Sequence, residues 1–571
     1  MRETRLILSV LTAFILCLSG MEGRAETPGR DKLYFSVYPA ADNADMPMDA
    51  IAVQNLRHKY FLFLPGNANM QGLRIWFDES LTAEQDGSVF HSGDRFTAIV
   101  PGEMFSVRVG RKQYDILPVA GSAIPAVFIS SETGNMKKID GSKKYKEKGK
   151  MKIITGDGIV CYEGDLEHIK LRGQSSTKFE KKSYTVKLAE KTDLFMMGKA
   201  KKWVLTGNTR DHSLLRNQIT LAMASKAGLR YTPECIQTEV YLNHEYNGTY
   251  LLQEKIEIAS SRINIRDLEK ATQALNEEEL DNYAGKGPGK PKEGQFKYKD
   301  IPINPDDITG GYLIEYEYNK SRYNEEPCAY MTKRRRTIVV KEPGNATRAQ
   351  MNYISGFIQG FENAIFSENG LDPESGKHYS EFVDMDSLVL KYMLEEITKN
   401  LDGNSSSQYF YKPEDKISTV AYAGPAWDYD NSYGSFGESW TRKVIRPEGL
   451  WVGAKTKLNY WWPRLYAKKD FREKVYDMWQ ERYAEALQIL LGIKKDPDEK
   501  LLSVYEYAES VRVSAEMNFI RWPIRYGETN VARTGESFEE NISYLVKFIR
   551  GRYRFLNGEW GDPTLQLPEE Q

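Results

Sequence analysis

The chain has 571 residues, 41% of them hydrophobic and 28% charged, with a formal net charge of −2. These values fit a soluble globular protein with an ample core and more than one domain. A charge so close to zero gives no reason to expect nucleic-acid or membrane-surface binding.

Residues 1–25 predict a secretory signal. Arg2 and Arg5 form a basic head, LILSVLTAFILCLSG is the apolar run, and Gly23 with Ala25 makes a small-x-small cleavage site that leaves Glu26 first. The apolar run is short for a membrane span of about 20 residues. Leu16 stands before Cys17, where a lipid-attachment motif wants Gly or Ala. Export is therefore expected, to a periplasm, the cell surface or the medium, and no later stretch is apolar enough to cross a membrane. The mature chain keeps Cys161, Cys235 and Cys328, an odd number, with no CxxC and scattered histidines. At least one thiol stays unpaired within the chain, and neither zinc nor a cysteine nucleophile is supported.

Residues 31–118 predict a small β-sandwich-like domain. YFSVYP, KYFLFLP, LRIWFD, FTAIV and SVRVGRKQYDILPV are short strand-like runs divided by turn formers. The domain reads as a spacer or docking module. From 124 to 265 strands lead again, with IPAVFISSE first. HIKLRGQSS runs into a loop and KSYTVKL returns. Such a strand–loop–strand, with Ser175 and Ser176 in its loop, can set backbone N–H groups around phosphates. Lys187 in the returning strand is the expected phosphate-facing lysine, with Lys182 and Lys202 as alternatives. SLLRNQITLAMASKAG predicts a helix capped by Asp211 or Ser213 and ended by Gly228, with Arg216 and Asn217 as its polar residues. Glu254 closes the following hairpin. Residues 266–305 are charged and rich in Gly and Pro, and predict a mobile insertion. Strands GGYLIEYEY and RRRTIVVKEP and a helix from Thr347 to Phe366 follow.

Residues 385–437 are the centre of the chain. MDSLVLKYMLEEITKN predicts a helix with a buried face, LDGNSSS breaks it, two short strands follow, and PAWDYDNSYG ends the stretch. Asp402 falls just past the helix. Asp428 and Asp430 fall in a turn closed by Gly434. Carboxylates from two loops can be brought together in this way, one to face an acceptor hydroxyl and another to bind Mg²⁺. Asp and Asn are also common in turns for purely local reasons. Beyond Gly437 the pattern is helical and aromatic, a packed carboxyl-terminal lobe.

PAWDYDNSYG resembles the WDxDxSxG signature of the CotH (spore coat protein H) kinase family. KLRGQSSTKFEKKSYTVKL, KKWVLTGNTRDHSLLRNQITLAMA, VYLNHEYNGTYLLQEKIEI and ITGGYLIEYE resemble further segments of that family, in family order, over roughly residues 124–560. The resemblance implies an α+β chain: an atypical protein-kinase-like two-lobed fold preceded by the small all-β domain. It implies ATP with Mg²⁺ or Mn²⁺ as cofactors, and phosphoryl transfer to a Ser or Thr hydroxyl of a protein substrate. Asp402 would orient or deprotonate the acceptor, Asp428 would bind the metal, and Asp430 and Asn404 would assist. Two departures from the kinase pattern stand out. The helix after Ser213 has no Glu to clamp the lysine, leaving Glu254 as a source. Ser407 stands five residues after Asp402, where kinases place Asn, with Gln408 next and Asn404 nearby. The rival expectation is a non-catalytic cell-surface adhesin, assembly protein or scaffold on the same fold.

Overall fold

The computed structural model describes residues 32–38, 49–97, 99–318, 320–436, 443–524 and 534–561. The expected signal at residues 1–25 lies outside them. Nine short strands come first: β1 (Tyr34–Val37), β2 (Asp49–Ala52), β3 (Gln54–Leu56), β4 (Lys59–Leu64), β5 (Arg74–Trp76), β6 (Ala83–Gln85), β7 (Ser88–Phe90), β8 (Phe105–Val109) and β9 (Lys112–Ala120). In β8, Phe105, Val107 and Val109 are buried while Ser106 and Arg108 are exposed, the period-two pattern of a half-buried strand. The strands form a three-stranded sheet, β2–β1–β5, and a six-stranded sheet, β3–β4–β9–β8–β6–β7. Phe35, Leu62, Phe96 and Phe105 share one core, but that core also takes in Tyr241, Tyr246 and Met517 from far along the chain. Phe63 stacks on Tyr246 at 4.8 Å, so this unit is fused to the next one through packed aromatic rings.

The next unit is a closed barrel built from β10 (Ala126–Ser131), β11 (Glu147–Ile154), β12 (Val160–Arg172), β13 (Ser183–Asp193), β14 (Lys199–Thr206), β15 (Cys235–Leu242) and β16 (Glu245–Glu254). Its order is β10–β11–β12–β13–β14–β16–β15, and it closes where β10 runs parallel to β15. A five-residue helix, α1 (Lys137–Gly141), sits between β10 and β11. Ile169, Val186, Trp203 and Leu252 fill the interior. Alternation then puts Lys170, Thr185 and Val204, which are partners across the sheet, on the outer face.

Helix α2 (Arg216–Ala227) ends at Gly228, which takes the left-handed conformation expected of it at φ 94°. Residues 266–305 depart from the expectation of a mobile insertion. They carry helix α3 (Leu268–Gln273) and strands β17 (Gly285–Lys286) and β18 (Gln295–Lys299). Some of its few apolar residues are spent on burial: Leu268, Leu280 and Ile301. The charges are satisfied locally, as where Lys297 Nζ donates to the carbonyls of Tyr323 and Glu326 at 2.9 and 2.6 Å. Strand β18 joins a seven-stranded sheet with β19 (Tyr312–Glu317), β20 (Ala329–Met331), β21 (Thr337–Glu342), β22 (Gln408–Lys412) and β23 (Tyr422–Ala423), in the order β17–β18–β20–β21–β19–β22–β23. The short helix α4 (Ser321–Glu325) lies between β19 and β20.

Helices α5 (Arg348–Phe366), α6 (Met385–Thr398), α7 (Trp461–Tyr466), α8 (Lys469–Met478), α9 (Glu485–Leu490), α10 (Val504–Arg521) and α11 (Phe538–Trp560) complete an α+β chain. Every residue from Ser387 to Thr398 is buried, so α6 runs through the core rather than along its surface. Among the described residues no helix is long and apolar enough to cross a membrane. Cys161, Cys235 and Cys328 are free thiols.

Barrel and helices meet at Glu239 on β15, whose carboxylate is fully buried and accepts from Ser514 Oγ of α10 at 2.7 Å. Burial pushes its pKa up to about 8. The folded state therefore holds a proton that the unfolded chain has released above its ordinary value of 4.5. This contribution is fully present below that value and is lost as pH rises toward 8, at about 1.4 kcal/mol per pH unit. Glu239→Gln should flatten that slope, measured as urea-unfolding free energies at pH 5 and pH 8. A variant with the wild-type slope would place the titrating group elsewhere.

Candidate functional site

Helix α6 starts at Asp384, whose carboxylate accepts the Ser387 N–H at 2.8 Å, and stops at Lys399, which turns left-handed at φ 45°. That reversal throws residues 400–407 out as a loop. The Leu401 N–H donates to Asn431 O at 3.0 Å and the Tyr433 N–H donates to Thr398 O at 2.7 Å. These two bonds zip the Asp402 loop to the Asp428–Asp430 turn. Lys391, wholly buried on α6, donates to Glu395 Oε1 at 2.6 Å and to the Tyr429 hydroxyl at 2.9 Å, and that hydroxyl donates to Glu395 at 2.8 Å. Helix α2 holds the same turn from the other side. Asn217 Oδ1 accepts the Tyr429 N–H at 2.7 Å, and Arg216 Nε donates to Ser432 O at 2.9 Å. Arg216 is itself fixed by a buried ion pair with Asp211. Arg216 and Asn217 at the start of α2 are thus struts of the acidic turn.

The three aspartates are electrically coupled. Burial, then the neighbouring Asp428, pushes Asp402 up to about 6, against opposition from Asn431 and Arg210. Burial, then Asp428, pushes Asp430 up to about 8, again opposed by Arg210. Asp428 is the exposed member, and it accepts from Ser407 Oγ at 3.2 Å. Asp428 and Ser407 are both left-handed, at φ 69° and 55°. Such strain costs roughly 1–3 kcal/mol per residue and collects at functional sites. Glu317 on β19 borders the cluster. Burial pushes it up to about 8, with Glu315 and Asp402 adding to the effect.

Arg172 and Arg210 face these acids. Arg172, the last residue of β12, stacks over Trp427 at 5.1 Å and feels both Asp428 and Asp430, while among the described residues its guanidinium makes a long 3.5 Å hydrogen bond to Thr206 Oγ1. Arg210 donates to Asn431 Oδ1 at 3.3 Å and lies over the Phe179 ring at 5.2 Å. Lys170, two residues before Arg172 on the same outer face, is half-buried. Burial pushes its pKa down, with Lys146 and Lys202 adding to the effect, and no carboxylate among the described residues pairs with it. Between barrel and sheet runs an apolar seam of Val204, Leu313, Tyr409, Tyr411 and Trp427.

The residues expected from the sequence fall into three groups. Asp402, Asp428 and Asp430 converge. Ser175 and Ser176 lie in a single turn of 3₁₀ helix that starts just after Arg172, and Phe179 at the loop's end meets Arg210. Gly173 opens that loop at φ 101°, and a Cβ there would lie 1.9 Å from Ser176 Oγ. Lys187 is on the outer face too, one row beyond Lys170, but its ammonium pairs with Glu167 at 2.5 Å. The alternatives are also engaged: Lys202 with Glu257 at 2.9 Å, and Lys182 with the carbonyls of Thr177 and Phe179.

Two expected residues are displaced. Glu254 does not clamp a lysine; it is ion-paired with Arg262 and accepts the Glu234 N–H at 2.9 Å. Asn404 does not face Asp428. Its amide donates to Val452 O at 3.2 Å, and its side chain lines a small apolar cavity with Phe410 and Trp462. Ser407 occupies that place instead. Lys170, Arg172, Arg210 and Asn431 were missed as site residues. Lys170 and Arg172 carried a signal, since both sit in the strand leading into RGQSS.

Among the described residues, no three His, Cys, Asp or Glu side chains are arranged as a ready metal-ligand set. The hard oxygens of Asp428 and Asp430 still suit a cation that takes only one or two carboxylates and completes its shell with phosphate and water. The repulsion from Asp428 that adds to burial in raising Asp430 is the strain such a cation would relieve. In comparison with known proteins, residues 169–556 match the family model described as CotH kinase protein. No curated protein matches the chain.

Proposed function

Because the chain belongs to the CotH kinase protein family, we propose that it is an exported kinase that transfers the γ-phosphoryl group of ATP to a Ser or Thr hydroxyl of a protein. The observation that carries this reading is the opposition, across one seam, of acids from two zipped loops and Arg172, a barrel cation with no ion-paired carboxylate among the described residues. The barrel then serves as the amino-terminal lobe, and the second sheet with its helices as the carboxyl-terminal lobe. The base of ATP would rest on the apolar seam, and its phosphates would meet Lys170, Arg172 and the Ser175–Ser176 loop. Asp428 and Asp430 would hold Mg²⁺ or Mn²⁺, which when bound neutralises phosphate charge. Asp402 takes the proton of the acceptor hydroxyl as its oxygen bonds to the γ-phosphorus. The bond from that phosphorus to the bridging oxygen breaks, and ADP leaves with the electron pair. A carboxylate raised to about 6 is a better base than an ordinary one and is still ionised at neutral pH. Incubation of the mature protein with γ-labelled ATP and Mn²⁺ tests the reading, and label appearing on protein hydroxyls is the expected result.

The second reading, a pseudokinase scaffold, is favoured by Ser407 in the usual Asn place. Ser407→Asn bears on it directly, since Asn tolerates the left-handed backbone there and adds a carbonyl oxygen beside Asp428. Calorimetric titration with Mn²⁺ should show several-fold tighter binding than in the wild type. Unchanged affinity would mean that position 407 does not face the ion.

The lysines can be separated by affinity. Charge-assisted hydrogen bonds to phosphate are worth roughly 1.5–3 kcal/mol, or on the order of tenfold to a hundredfold. Lys170→Ala should weaken ATP binding by that amount, and Lys187→Ala should do so less, because Glu167 already neutralises Lys187. The reverse ranking in calorimetry would restore Lys187 as the phosphate lysine.

A further inference from the structure

A second cavity, of about 290 Å³, lies at the far end of helix α6 from Asp402. A helix of that length separates the two by about 20 Å. Its floor is apolar, with Leu390, Met478 and Ala423, and its wall is aromatic, with Tyr411 and Tyr422 stacked on each other at 5.3 Å. Four charged residues complete the lining, and their partners differ. Asp384 is spent on capping α6, and Asp386 pairs with Lys474 at 2.9 Å. Arg230 has no carboxylate partner among the described residues, and its guanidinium lies 5.9 Å from the Tyr422 ring. Among the described residues Arg482 has only its chain neighbour Glu481, at 3.8 Å. Both arginines line the same cavity. A Cβ at Gly228 would lie 3.8 Å from Arg482 Nη1, and Arg230 follows two residues later. The two arginines are thus the lining charges with no carboxylate closer than 3.8 Å among the described residues, and they share a mixed polar and aromatic pocket near the lower size limit of small-ligand sites.

We propose that this cavity binds a small aromatic anion, its ring against Tyr411, Tyr422 and Leu390 and its carboxylate or phosphate between Arg230 and Arg482. A guanidinium pair suits either group, since each presents paired oxygens. The proposal does not depend on the kinase reading, and its test uses no nucleotide. The full mature chain is titrated calorimetrically with benzoate, with phenyl phosphate and with inorganic phosphate. One of the two ring-bearing anions should bind at least tenfold more tightly than inorganic phosphate, and which of them does so identifies the preferred anionic group. The double variant Arg230→Ala, Arg482→Ala should weaken that binding by roughly tenfold to a hundredfold. Both side chains lie at the surface, so the melting temperature of the unliganded variant should stay at the wild-type value. Asp428→Ala, at the other end of α6, should leave the binding untouched. Absence of heat with both ring anions would overturn the proposal. So would equal affinity for inorganic phosphate, binding indifferent to the double variant, or binding lost in Asp428→Ala.

Discussion

Asp428→Ala should erase the thermal stabilisation that ATP and Mg²⁺ give together, while Asp402→Asn should keep it and lose phosphoryl transfer. The division follows from geometry. Asp428 is the exposed carboxylate, held in a left-handed turn with Ser407 as its side-chain donor. It is free to accept a cation, and its charge adds to burial in raising both Asp402 and Asp430. A ligand that binds only the folded state at 100 times its Kd adds about 2.7 kcal/mol of stability. The wild type should show that gain with nucleotide and metal together, more than with either alone, and Asp428→Ala should not. Asp402 instead hangs from the loop after α6, so the Asn variant keeps the turn and its ligands. Loss of a general base costs about 10²–10⁴ in rate. Melting curves and label transfer on the same three proteins check both halves. A wild type with neither a joint shift nor transfer would favour the scaffold reading, and a joint shift without transfer would leave an ATP-binding pseudokinase.

Lys391→Met should be the most destabilising single change near the site. Lys391 and Glu395 have no exposed side-chain surface, and Glu395 Oε2 already lacks a hydrogen-bond partner. Removing the lysine strands a buried carboxylate, at a cost of about 3–5 kcal/mol. It also cuts one of the ties to Tyr429, so the acidic turn should loosen as the fold weakens. The double variant Lys391→Met, Glu395→Leu should recover a good part of that stability, because apolar groups of similar size replace a buried pair at little net cost. Chemical denaturation of the wild type, both single variants and the double variant closes the cycle. Additive losses would show that the pair is not coupled.

The parts of this molecule that could be read beforehand are those with local causes. Gly228 had to stop α2, the run after Asp384 had to be a helix, and two acidic turns flanking a pair of short strands had to come near each other. Side-chain direction at a loop had no such signal. Asn404 and Ser407 share one polar loop, and only the packing of Asn404 beside Phe410 and Trp462 decides that Ser407 is the one facing Asp428. The lysines show the same limit. Lys170 and Lys187 both lie on an outward barrel face, and what separates them is Glu167, a partner from the neighbouring strand. Residues 266–305 misled for a compositional reason. Low hydrophobicity suggested a solvated insertion, yet three buried apolar residues and lysines bonded to carbonyls suffice to attach a strand to an existing sheet.

The closing seam of the barrel bears on how the chain folds as it is made. Strand β10 pairs with β11 as soon as both exist, but its other edge waits for β15, so on that edge Ala126 has no partner until Glu239 has been synthesised. During that interval β10 offers an unpaired row of N–H and C=O groups, the kind of edge through which partly folded chains recruit one another. Pairings between strands so distant in sequence also form slowly, because loop closure comes before any contact rewards it. The interval between the emergence of β10 and of β15 is thus when this protein is most exposed to aggregation.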